Sequence, residues 1–114
     1  MVAIVWEIEI REGHAAQFER FYGADGNWTK LSRRSRSFVG SSFLKDIAHG
    51  NRYLLLEYWS EMLVYERYLA KVGDEVRALE AERAKYVERI EPIGVFNALN
   101  VPDRFGPAWS RRSG

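Results

Sequence analysis

In the stretch YLLLEYWSEMLVYERYL, residues 53–69, the first of three glutamates alternates with large side chains. Tyr53, Leu55, Glu57 and Trp59 are spaced two apart, so on an extended chain they share one face. A carboxyl group among aromatic rings loses hydration, its pKa rises, and it can take a proton from a weak acid. Glu57 is therefore the candidate general base; the opposing reading is a surface or interface glutamate paired with an arginine. Trp59, with Tyr65 six residues on and Tyr68 nearby, gathers at the junction of a strand and a helix. Such rings either line a pocket for a flat ligand or plug the space between sheet and helix. Trp28, with Arg36, belongs to a separate segment that either caps a pocket or lies on the surface.

Other chemistries find little support. The chain has no Cys, which excludes disulfides, thiol catalysis and Cys-ligated metal centres. Its two histidines, His14 and His49, have no His or Glu at ligand spacing, so no metal site is expected. His14 opens a helix, where it either caps the helix or donates to an oxyanion. No glycine-rich loop with a lysine follows a strand, and two histidines do not support a Ser-His-Asp set. No cofactor is expected. The 114 residues carry a formal charge of +1, and the basic cluster Lys30, Arg33, Arg34 and Arg36 has no interleaved stacking aromatics. That pattern reads as a solvated helix end, so no nucleic-acid partner is expected. The longest apolar run, residues 1–6, is too short to span a membrane and continues as a strand. The expected location is cytoplasmic.

The elements that must position these side chains follow from periodicity. Residues 2–10 alternate, with Val2, Ile4, Trp6, Ile8 and Ile10 on one face. Gly13 ends this strand, and Ala15, Phe18, Phe21 and Tyr22 mark a first helix. NWTKLSRRS adds a short helical turn. Residues 37–48 and 51–59 read as two strands of a hairpin, with Gly50 supplying a positive φ. Ser60 is placed to cap a helix running to about residue 71. Asp74 caps the next, expected to reach Ile90 with Val76, Leu79, Arg83, Val87 and Ile90 on one stripe, and Pro92 stops it. Its spaced opposite charges, Glu80 with Arg83 among them, read as helix maintenance. Residues 93–99 form a last strand. The order gives an α+β fold, a ferredoxin-like split βαβ with a four-stranded antiparallel sheet, in one domain over residues 1–99. The tail, residues 100–114, is either disordered or an arm on a neighbouring subunit, and its Phe105 and Trp109 favour the arm.

Helices cover one face of such a sheet. The other is expected to carry Leu54, Leu56, Tyr58, Val39 and Phe43, too apolar to stay wet on a stable monomer. Two sheets packed face to face, a homodimer, resolve this.

Four segments carry a family likeness: IREGHAAQFERFYG, SFVGSSFLKD, YLLLEYWSEMLVYERYL and EPIGVFNAL. Together they cover about residues 2–99, and the chain resembles the antibiotic biosynthesis monooxygenase domains of the dimeric α+β barrel superfamily. The resemblance implies a dimeric α+β barrel and, for the oxygenase branch, cofactor-free oxidation of hydroxylated aromatic or polyketide-like molecules. Trp59 corresponds to that family's strand-end Trp, and Tyr65 falls where a pocket Tyr occurs. Glu57, Trp59 and Tyr65 are then the expected catalytic residues, and Trp6, Trp28, Phe38, Tyr53, Leu55 and Tyr68 the expected ligand-binding ones. The pattern also departs from the family's. Leu55 stands where oxygenase members carry Asn, and no His lies between residues 60 and 90, as a haem-degrading member requires. The alternative is a non-catalytic dimeric protein, a small-ligand binder or a stress-related protein, on the same fold.

Overall fold

In the computed structural model, which describes residues 1–100, four strands and four helices follow one another in a split βαβ order. They are β1 (Val2–Ile10), α1 (Ala15–Tyr22), α2 (Asn27–Arg33), β2 (Phe38–Lys45), β3 (Arg52–Trp59), α3 (Met62–Lys71), α4 (Gly73–Arg83) and β4 (Val87–Asn97). The sheet is fully antiparallel in the order β2-β3-β1-β4. The expected arm from residue 101 onward lies outside the described residues. Among those residues no helix is long and apolar enough to cross a membrane.

Alternation along β1 and β3 produces the helix-facing side as expected. Ile4, Ile8 and Ile10 are buried there, as are Tyr53, Leu55, Glu57 and Trp59 across the pairing Ile8↔Tyr53, Trp6↔Leu55, Ile4↔Glu57 and Val2↔Trp59. Against this face α1 sets Phe18, Phe21 and Tyr22, α2 sets Trp28 and Leu31, and α3 sets Tyr65.

Four local expectations are corrected. The helix expected to reach Ile90 ends at Arg83, and Val87 to Asn97 pair along β1. Central β1 would otherwise leave a row of backbone donors and acceptors unpaired, and that requirement outweighs the helical propensity of the segment. Pro92 is tolerated inside β4 because β4 is an edge strand and the register slips there, between Val5/Gly94 and Trp6/Pro92. In β2, a register shift between Phe38 and Gly40 changes the parity of the strand. Phe38 and Phe43 therefore both face the helices, packed on Trp59 and Tyr53, and Leu44 replaces Phe43 on the open face. Gly50 does not supply the hairpin's positive φ; the Asp46 carboxylate closes the turn by accepting from the N–H of Ala48 and His49. Finally, neither Ser60 nor Asp74 caps a helix. The Ser60 N–H donates to the Ser37 carbonyl (2.9 Å) and its hydroxyl bonds that of Ser37, tying β3 to β2, while Asp74 lies in the first turn of α4 bonded to Arg77.

The open face carries Leu54, Leu56, Tyr58, Val5 and Ala3 in its middle, with Leu44 and Phe96 half exposed at either side. Its polar end is a network in which Arg52 bridges Glu7 (2.5 Å) and Asp46 (3.0 Å).

Candidate active site

Glu57 is a carboxylate that the sheet turns inward. It is 3% exposed, and its Oε2 accepts from the Trp28 indole N–H at 3.0 Å. Burial pushes its pKa up, while the indoles of Trp28 and Trp6 and the charge of Arg83 pull the other way. This disposes of the reading as a surface or interface glutamate. Trp28, which could equally have lain on the surface, is 9% exposed and part of the same cage.

Around the carboxylate the structure assembles a second tier. The Arg83 guanidinium lies 5.3 Å from the Trp28 ring centroid and donates to the Tyr22 hydroxyl at 3.0 Å. Tyr22 packs on Trp28 with centroids 5.9 Å apart, and burial drives its hydroxyl pKa up to about 12 against the opposing pull of Arg83. Tyr65 is likewise pushed upward, by burial first and then by the negative charge of Glu57. Arg83 had read as helix maintenance with Glu80. Its side chain is instead only 16% exposed and the pair with Glu80 is long, at 3.8 Å. The signal was present, since Arg83 continues the apolar stripe of Val76 and Leu79, where a cation needs an inward partner. Tyr22 had read as core alone, and nothing in a single sequence distinguishes it from its neighbour Phe21.

Eight of the nine expected residues, all but Glu57, fall into two packed groups that meet at Trp6. Trp59 sits in one, edge-on to Phe38 (5.2 Å) and Tyr65 (5.0 Å) and tilted toward Tyr68 (5.9 Å). Its indole nitrogen is buried without a hydrogen-bond partner among the described residues. Leu55, Trp28 and Tyr53 sit in the other group. Tyr53 stands apart from Glu57: it donates to Glu19 at 2.6 Å and stacks on Phe43. Tyr68 is anchored outward, donating to the Leu31 carbonyl at 2.5 Å.

One cleft lies beside these residues rather than among them. A cleft of about 590 Å³ opens between the α1–α2 connection and β2, lined by Tyr22, Thr29, Arg33, Phe38, Ser41 and Phe43 with small neighbours. Of the nine expected residues only Phe38 lines it. Two of its walls are single side chains with the buried groups behind them. Tyr22 packs on Trp28, which holds Glu57, and Phe38 packs on Trp59. The volume suits a small organic ligand. Among the described residues no group of three or more His, Asp or Glu side chains is placed to hold a metal ion.

Comparison with solved structures places the fold. The cofactor-independent oxygenase SnoaB from Streptomyces nogalater superposes with a TM-score of 0.66 at 24% identity, over 88% of this chain and 94% of SnoaB. A protein from Bordetella bronchiseptica, provisionally designated an antibiotic biosynthesis monooxygenase, gives 0.71 at 15% identity over 87% of this chain and 97% of its own. The fold is that of the antibiotic biosynthesis monooxygenase domains. A Deinococcus radiodurans protein with the same provisional designation gives 0.64 at 17% identity, over 93% of this chain and all of its own. No family model and no curated protein sequence matches the chain. What this fold brings inward here is the cage of Glu57, Trp28, Tyr22 and Arg83, with Leu55 on the same strand face.

Proposed function

We propose that this protein is a cofactor-independent oxygenase acting on a hydroxylated aromatic or polyketide-like molecule, and that it works as a homodimer through the open sheet face. One observation carries the reading: a single carboxylate with a raised pKa, bonded to the Trp28 indole, which packs behind the Tyr22 wall of an aromatic-walled cleft. Glu57 takes a proton from an activated ring carbon, and the resulting carbanion supplies electrons to dioxygen. For a methylene flanked by phenolic rings the sum is CH₂ + O₂ → C=O + H₂O, with both oxygen atoms accounted for. The unpartnered indole N–H of Trp59 is suited to donate to the developing oxyanion, with Tyr65 packed against its ring. The likeness to SnoaB in fold supports this kind of chemistry. The apolar residues of the open face support the dimer, since Leu54, Leu56 and Tyr58 share it with half-exposed Leu44 and Phe96.

A second reading has its own observation. Glu57 and Trp59 are 3% and 1% exposed, shut off from the cleft by Tyr22, Trp28 and Phe38. A protein that only binds a ligand in the cleft would look the same. Dioxygen uptake against anthrones, naphthols and catechols separates the two. The oxygenase reading expects quinone formation by the wild type and a loss of about a hundredfold or more in Glu57→Gln. Silence across that panel from an intact dimer supports the binding reading. Unchanged turnover in both Glu57→Gln and Trp59→Phe removes these residues from the chemistry.

A further inference from the structure

The cleft has a composition that selects among aromatic ligands. Its large walls are the rings of Tyr22, Phe38 and Phe43, its hydroxyls come from Thr29 and Ser41, and its one charged lining residue is Arg33. Thr29 is already committed, donating to the Tyr22 carbonyl at 3.1 Å. Arg33 is held at the end of α2 by one bond, Nη1 to the Ala24 carbonyl at 2.8 Å, leaving most of its five donors open. Its neighbours in the basic cluster do not share its position: Arg34 pairs with Glu75 on α4 and does not line the cleft. A cleft with aromatic side walls, one cation in its lining and no carboxylate there favours a ligand with a complementary negative charge.

We infer that the cleft binds a planar aromatic anion, its rings lying against the wall formed by Phe38, Phe43 and Tyr22 and its carboxylate or phenolate paired with Arg33. This deepens the oxygenase reading by naming the substrate class. As a statement about binding it also stands on the cleft alone. A charge-assisted bond to a guanidinium discriminates an anion from its neutral isostere by about tenfold or more.

The test is equilibrium binding of anthracene-2-carboxylate and its neutral counterpart anthracene-2-carboxamide, followed by ligand fluorescence under nitrogen so that no turnover intervenes. The expected result is a preference of about tenfold for the carboxylate, weakened by added salt and abolished in Arg33→Met with little change for the amide. Because Arg33 also ties α2 to Ala24, Ser41→Asp serves as an independent variant. It places a negative charge in the same wall without touching that bond, and should weaken the carboxylate selectively. Equal affinity of the two ligands for the wild type, no binding of either, or a carboxylate preference that survives both substitutions overturns the inference. If the preference is found while dioxygen uptake stays silent, the cleft assignment holds and the oxygenase reading falls.

Discussion

Replacing Trp28 with Phe tests the central bond of the site. The substitution keeps an aromatic ring beside Tyr22 and Arg83 but removes the indole N–H that Glu57 accepts at 3.0 Å. A hydrogen bond to a charged partner contributes about 1.5–3 kcal/mol, and one to a neutral partner about 0.5–1.5 kcal/mol. At roughly 4–8 °C per kcal/mol for a domain near this size, the charged case lowers Tm by on the order of 10 °C. The pH dependence separates this bond from simple loss of packing. Glu57 has its folded pKa raised, chiefly by burial. Its contribution to stability is therefore fully present below the unfolded value and is lost as pH rises through the folded one. Trp28→Phe raises that folded value further, so its penalty is largest where Glu57 is ionised and shrinks in acid, where the bond is to a neutral carboxyl. In a Glu57→Gln background the acceptor is neutral at every pH, and the penalty should stay near the neutral figure throughout. Glu57→Gln itself should be at least as stable as wild type at neutral pH, because a buried ionised group is replaced by a neutral one of the same shape. Denaturant unfolding of the four proteins across acid and neutral pH gives the whole cycle. A Trp28→Phe penalty that is the same in both backgrounds and flat with pH would refute the bond and, with it, the description of Glu57 as an ionisable group held by indoles.

Further expectations concern the surrounding structure. Arg83→Met removes a charge that holds the Glu57 pKa down, so the acid limb of any pH–turnover profile should move to higher pH; a downward shift or none contradicts the electrostatic link. Leu56→Arg places a cation in the middle of the open sheet face and should convert a dimer to a monomer by light scattering without loss of helical circular dichroism. At Gly26, a methyl group would sit 2.1 Å from the carbonyl oxygens of Arg20 and Phe21, so Gly26→Ala should cost about 3 kcal/mol, read as a fall in denaturation midpoint.

Much of this molecule was legible from the order of its residues. Alternation in β1 and β3 is a local property: it put Ile4 and Ile8 on one face of β1 and Tyr53, Leu55, Glu57 and Trp59 together on one face of β3, because side-chain direction on a strand depends only on parity, and the tertiary structure buried both of these faces. The spacing of Phe18, Phe21 and Tyr22 likewise fixed the inward stripe of α1. Where parity itself is broken, the sequence misleads. The register shift in β2, at Val39 beside Gly40, turned Phe43 toward the helices, and the only local sign of it is that single glycine inside a strand pattern. The end of α4 was decided by β1, whose second edge needs hydrogen-bond partners, against a segment locally suited to helix. The site divides in the same way. That Glu57 shares a face with Tyr53, Leu55 and Trp59 follows from its own strand, but its burial and its partners come from three other elements. Trp28 lies 29 residues before it and Arg83 on a helix well after it, and only the packing of α1, α2 and α4 brings them to one carboxylate. The cleft is tertiary altogether. Its walls come from the end of α1, from α2 and from β2, and a cavity is the space that packed elements leave unfilled, for which no single segment carries a pattern.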